Sequence, residues 1–458
     1  MTAERQSFVA VHDGLISRRE MLGRGLIGTT GLLLADRLCG AAPSASPSAA
    51  PKKEGKAKAV IQIWLSGGPT HTDMFDPKPD SGSDYTGPWN HPIETNVKGI
   101  RIGEMMPETA KVADKYALIR SMTHRQNGHE TASYMVQTGR MPGGRLVFPM
   151  VGAAVTAMKP AAKATGAAGL IPPYIVLTQP QGRFSESGFL GIRYKPFATG
   201  GDPNAFKFAV EGIVAEGISD EQQQERRELL KKLNTLGRAM QGDPNLALAE
   251  QAKQQAYDLI LGDAGKVFDL AQEKDELRTR YGRNQFGQSC LVARRLIEKG
   301  VRYVTINQFA WDTHKEHFQA MRRLLPNLDK ALATLIADLA DHGMLDSTIV
   351  WCGGEFGRTP KVAWESPWNG GRHHFGNCFT HLVAGGGFKG GVVLGSSDAK
   401  GEEPKDRPVY PCDLIGSIYQ LLGIDPDGSL PHPMGEFVKA TPAPEEGVLS
   451  NGRLKEIT

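Results

Sequence analysis

Histidines and carboxylates of this chain gather in a few short, glycine-containing segments. The first reads Gly67-Gly68-Pro69-Thr70-His71-Thr72-Asp73-Met74-Phe75-Asp76. Next come Thr123-His124 and Asn127-Gly128-His129-Glu130-Thr131, then Trp311-Asp312-Thr313-His314 with His317 close by. The last are Gly353-Gly354-Glu355-Phe356-Gly357-Arg358-Thr359-Pro360 and Gly371-Arg372-His373-His374. Imidazole and carboxylate together suit zinc, manganese or a similar divalent ion, and sets this rich in carboxylate often hold two. Such ions polarise a phosphate or sulfate ester and stabilise its attacking and leaving oxygens. Glycine beside a ligand lets the backbone approach closely. Two roles are open for Arg358: a forked donor to a substrate anion, or an ion-pair partner of Glu355.

For such segments to meet, a common scaffold must bring them together, and most of them follow an apolar run. The first run is Ala59-Val60-Ile61-Gln62-Ile63-Trp64-Leu65. Others are Ala117-Leu118-Ile119, Tyr174-Ile175-Val176-Leu177, residues 301 to 306, Thr348-Ile349-Val350-Trp351 and His381-Leu382-Val383-Ala384. Continuous rather than alternating runs imply strands buried on both faces, as in parallel sheets. Helical patterns lie between them, so the chain reads as α/β with a mostly parallel, doubly wound sheet. In such sheets ligands bind beyond the carboxyl ends of the strands, which is where these segments fall.

Residues 219 to 300 are charged and helix-rich and read as a helical insertion. From His317 to Leu339, apolar residues recur at 318, 321, 325, 328, 332, 335 and 339, a core-packing stripe. Pro326 is expected to kink that helix or to begin a second one. The Gly385-Gly386-Gly387 cluster reads as a turn between strands rather than a phosphate cradle, because no helix follows it.

The chain has 458 residues with 53 basic and 50 acidic side chains, a formal net charge of +3. That balance leaves no electrostatic footprint for nucleic acid and no polybasic membrane patch. Cysteines stand at 39, 290, 352, 378 and 412, with no C-x-x-C pairing. Cys290 shares a helical face with Phe286, Ala293 and Ile297; it and Cys352 read as small buried hydrophobes. At the N-terminus, Ser17-Arg18-Arg19-Glu20-Met21-Leu22 precedes an apolar run from Gly25 to Ala35 and small residues at Ala41 and Ala42. That order resembles a twin-arginine export signal, here residues 1–42, with a linker over 43–58. The run is too short for a stable membrane span, which needs about 20 residues. The expected location is periplasmic or secreted, with the twin-arginine translocase as partner during export.

The segments SGGPTHTDMFDPKP, WDTH, GGEFGRTP and Gly-Arg-x-His at 371–374, with GQSCLVARRLIEKGVRYV and AGGGFKGGVVLGSSD, resemble the domain-of-unknown-function 1501 family. The resemblance runs from about residue 15 onward. It implies exported bacterial proteins of the alkaline phosphatase and sulfatase superfamily. The fold so implied is a three-layer α/β/α sandwich over residues 59–458, carrying one or two zinc, manganese or calcium ions. Carried over by position, Asp73 or Asp76 is similar to the early metal carboxylate. Asp312 with His314, Glu355 and His374 are similar to later ligands, with Phe356 where the superfamily has a histidine and His373 where the family has an aspartate. Counting back from Gly139-Arg140, the nucleophile's position falls on His129, with Thr131 two residues on.

These residues lead to an exported metal-dependent hydrolase of phosphate or sulfate esters on a small molecule or glycan. Asp73, Asp312, His314, Glu355 and His374 are its expected metal ligands; His129, Thr131 and Arg358 are its expected catalytic groups. The alternative is a non-catalytic exported protein that binds a glycan or anion in a degenerate site.

Overall fold

The structure, a computed structural model, describes residues 9–11, 14–16, 54–159, 171–180, 186–205, 208, 222, 225, 229 and 263–458. The expected export segment from residue 17 on, most of the linker and most of residues 219–262 lie outside the described residues. Two compact units divide the chain, residues 1–52 and 53–458. Within the first, Val9–Val11 and Gly14–Ile16 pair as an antiparallel ribbon.

An eight-stranded sheet forms the centre of the second unit. Its strands are β1 (Ala59–Leu65), β2 (Tyr116–Met122), β3 (Tyr174–Leu177), β4 (Phe197–Ala198), β5 (Tyr303–Gln308), β6 (Thr348–Gly353), β9 (Phe379–Ala384) and β10 (Val392–Leu394). Between β6 and β9 stands a small antiparallel ribbon of β7 (Gly357–Arg358) and β8 (His374–Phe375). The sheet order is β10-β2-β9-β6-β1-β5-β3-β4. Only β9 opposes its sheet neighbours; the other pairings are parallel. The chain from β6 to β9 makes the ribbon at one edge of the sheet and re-enters beside β6 from that edge, so β9 runs antiparallel.

Burial on both faces accounts for the continuous apolar runs. Along β1, Ile61, Ile63 and Leu65 face one core layer, while Val60 and Trp64 face the other. The first layer is closed by α3 (Gln285–Glu298) and α4 (His317–Asp341). The second is closed by α1 (His129–Thr138), α2 (Val151–Met158) and α5 (Pro411–Leu421). The result is a mixed α/β fold with helices on both faces of a mostly parallel sheet. Cys290 lies in the first layer with Phe286, Ala293 and Ile297, so the described end of the 219–300 stretch is a sheet-covering helix.

Pro326 does not begin a second helix. α4 runs unbroken from His317 to Asp341 with Pro326 inside it. Pro326 is exposed, so the helical bond it cannot make leaves the Arg322 carbonyl on the exposed side of the helix. The buried stripe from Phe318 to Leu339 continues on both sides of the proline and holds the helix together.

Candidate functional site

The carboxyl ends of β1, β2, β5 and β6 lie along the same edge of the sheet, and the loops that follow them meet. After β1, Gly67 turns with φ 115°; a Cβ there would lie 2.3 Å from the backbone nitrogen of Asp312, so glycine lets the β1 and β5 loops touch. After β2, the chain reaches His129 at the first turn of α1. After β6 comes Glu355, and the ribbon pairs Arg358 directly with His374.

Three residues bring one ligand atom each within 4.8 Å of one another: His129, Asp312 and His374. Asp312 is central. Its Oδ2 lies 3.3 Å from His129 Nε2, and its Oδ1 lies 3.1 Å from both His374 Nε2 and His314 Nε2. The His314 and His374 Nε2 atoms are 2.9 Å apart. On its other side, His314 Nδ1 lies 2.9 Å from His373 Nδ1.

Hydrogen bonds behind these rings set their tautomers. His374 Nδ1–H donates to the Asn127 carbonyl at 2.8 Å, which leaves Nε2 bare toward Asp312. His129 Nδ1–H donates to Glu355 Oε1 at 2.7 Å, so Nε2 is the ring atom that faces Asp312. The His374 lone pair therefore faces a carboxylate, an arrangement that a bound cation relieves. The buried Oε2 of Glu355 has no hydrogen-bond partner among the described residues, which adds uncompensated acceptor charge. This donor set fits a divalent ion, and Glu355 stands behind His129 as carboxylates commonly stand behind metal-bound histidines.

Burial and neighbouring charge set the protonation of these groups. Burial opposes ionisation of Asp312, but the Arg358 hydrogen bond and charge hold it down at about 2. The hydrogen bond to Glu355 raises the pKa of His129, against partial burial. Burial, then neighbouring positive charge, lowers His374; burial also lowers His314 against the pull of Asp312. The latter two rings are thus favoured in the neutral form that binds metal.

The loop that carries Glu355 is clamped from behind by two buried histidines. His124 accepts at Nδ1 from the Gln126 N–H (3.0 Å) and donates from Nε2 to the Glu355 carbonyl (2.6 Å). His381 accepts at Nδ1 from the Trp351 indole (3.1 Å) and donates from Nε2 to the Gly354 carbonyl (3.0 Å).

Several expected site residues stand elsewhere. Asp73 is not brought to the cluster: it is buried between Arg372 Nη2 (2.8 Å) and His317 Nε2 (2.7 Å). Asp76 is buried as well, paired with Lys78 and Arg120 and bonded to Ser397. Arg358 takes neither expected role. Its guanidinium is fully buried and donates to the carbonyls of Gly67, Gly68 and Arg372, and its carboxylate partner is Asp312 rather than Glu355. Thr131 is half-buried on the first turn of α1 and makes no hydrogen bond to these residues. Phe356 stacks on His374 (centroids 4.7 Å apart) and packs against His129, so it forms an apolar floor.

Sequence reasoning gave no role to His373, Arg372 or Trp368, whose ring stands edge-on to His373 at 4.7 Å. The adjacency of His373 and His374 was the available signal. Which of two neighbouring histidines reaches a cluster depends on the ribbon pairing, which spacing alone does not give.

Among solved structures the chain is similar to the lipoteichoic acid synthase LtaP from Listeria monocytogenes, at 11% identity and a TM-score of 0.35, covering 88% of this chain and 78% of that one. It is also similar to the PsFucS1 sulfatase from Pseudoalteromonas sp., at 14% identity and a TM-score of 0.35, over 90% and 73% of the two chains. A third is the C-terminal periplasmic domain of EcEptC from Escherichia coli, in complex with Zn, at 9% identity and a TM-score of 0.33, over 85% and 90%. No curated protein matches the chain. The family described as "Protein of unknown function (DUF1501)" matches residues 57–449, and the chain belongs to that family.

Proposed function

We propose that the protein is a metal-dependent hydrolase of phosphate or sulfate esters. The observation that carries this reading is the convergence of His129, Asp312 and His374, with His314 beside them, at the carboxyl edge of the sheet. A divalent ion bound there supplies a Lewis acid that polarises the ester and offsets the charge developing on its oxygens. Asp312, His314 and His374 hold the ion in this reading, and Arg358 holds Asp312. Glu355 accepts from His129 Nδ1–H and orients the ring, so that Nε2 faces the cluster as ligand, proton acceptor or nucleophile. The first-turn N–H groups of α1, the helix that His129 opens, favour an anionic ester group. Thr131, on the same turn of α1, is the hydroxyl-bearing candidate in this reading.

The place of work in this reading is the periplasm or the medium, reached through the twin-arginine translocase. No helix of the described residues is long and apolar enough to cross a membrane. Lysine at both Arg18 and Arg19 is expected to leave the protein in the cytoplasmic fraction.

Metal content after chelator-free purification, followed by a panel of aryl phosphates and sulfates, tests the activity. One or two equivalents of zinc, manganese or calcium with turnover lost on chelation supports the hydrolase. A folded, metal-free protein without turnover sinks it and favours a glycan- or anion-binding role. Asp312→Ala with Glu355→Ala is expected to lose the metal while keeping the fold.

A further inference from the structure

Beside the cluster lies a second group of polar side chains that the proposed chemistry does not use. Asp73, Arg372, His317 and Thr313 are 4%, 0%, 0% and 6% exposed, so no substrate reaches them. Asp73 Oδ1 accepts from Arg372 at 2.8 Å, and Oδ2 lies 2.7 Å from His317 Nε2. A carboxylate paired with a guanidinium only accepts, so His317 carries its proton on Nε2. Its Nδ1 is then bare and accepts from the Thr313 hydroxyl, 2.6 Å away. The Thr313 hydroxyl also lies 3.4 Å from the Trp311 carbonyl, a longer and weaker acceptor than His317.

Thr313 stands between Asp312 and His314. Its backbone is held by the same group: the N–H donates to Trp311 O at 3.0 Å, and the carbonyl accepts from Arg372 N–H at 3.2 Å. Arg372 in turn immediately precedes His373 and His374. The network therefore joins the loop after β1, the loop after β5 and the entry to β8, and two of these three segments carry the clustered ligands.

We propose that Asp73, His317, Thr313 and Arg372 form a positioning network that sets the spacing of Asp312, His314 and His374, and with it the affinity of the centre for a divalent cation. The proposal rests on the metal-centre reading above. Asp73 acts in it as an anchor rather than a ligand. Partners one layer behind metal ligands typically change metal affinity by about 10- to 100-fold when removed.

The test titrates cobalt(II) into the chelator-stripped full chain and follows both the dissociation constant and the visible ligand-field spectrum. Thr313→Val keeps the side-chain shape and removes the donor to His317. It is expected to weaken cobalt binding about 10- to 100-fold and to alter the spectrum, while the melting temperature of the metal-free protein changes little. Thr313→Ser restores the hydroxyl and is expected to return both readouts to wild type. Thr313→Ala serves as a second variant with the same expectation as valine should valine impair folding. Wild-type affinity and spectrum in Thr313→Val and Thr313→Ala would overturn the proposal while leaving the metal centre standing. Failure of the wild type itself to bind cobalt would remove the metal centre and this network's role together.

Discussion

Acid should weaken this protein through His381, and the size of the effect follows from its surroundings. The ring is fully buried, accepts from Trp351 and donates to the Gly354 carbonyl. Burial pushes its pKa down from 6.5 to about 4, against the hydrogen bond to Gly354. The unfolded state then binds more protons than the folded state between those two values, so stability falls as pH drops below about 6.5 and levels off below about 4. At about 1.4 kcal/mol per pKa unit, the full loss from this residue is about 3 kcal/mol, and about 2 kcal/mol of it is already gone at pH 5. The perturbation is His381→Gln, which removes the titrating group and retains an amide that can donate and accept. Urea unfolding of the chelator-treated protein at pH 7.5 and pH 5.0 measures the difference in stability between the two conditions. That difference should shrink by about 2 kcal/mol in the variant relative to wild type. An unchanged difference would refute the reasoning, because it would mean that His381 is protonated equally in the folded and unfolded chains.

The other predictions concern the site and its frame. His124, also held at about 4 by burial, should give the same behaviour in His124→Gln, read by the same pair of unfolding curves. Glu355→Gln keeps a side chain behind His129 but removes its charge; metal affinity measured by calorimetry should fall by about 10- to 100-fold rather than vanish, whereas Asp312→Ala should abolish it. Arg358→Lys replaces a fork that spans three carbonyls and a carboxylate with a point charge, and should lower stability by about 3 kcal/mol in denaturant melts. Cys290, Cys352, Cys378 and Cys412 are free and buried, with the Cys412 thiol pushed up to about 12; a thiol-reactive dye should label them about 100-fold faster in denaturant than in the native protein.

The amino-acid sequence alone located the sheet and the segments at its edge. Apolar runs at β1, β2, β3, β5, β6 and β9 are legible because a strand buried on both faces must be apolar at nearly every position. Placing histidines and carboxylates directly after such runs also indicates where a site forms, since parallel strands present their carboxyl ends on one side. Partnership is what the sequence could not supply. Asp73 and Asp312 look alike in a string of letters, each soon after a strand and two residues from a histidine, His71 before the one and His314 after the other. Tertiary structure separates them: Asp73 folds inward onto Arg372 and His317, while Asp312 is left half-open among three imidazoles. The same holds for Arg358, two of whose carbonyl partners, Gly67 and Gly68, come from a loop about 290 residues away. Which carboxylate binds an ion and which anchors a loop depends on what surrounds it across the sheet, and residues that meet only through folding leave no spacing to read.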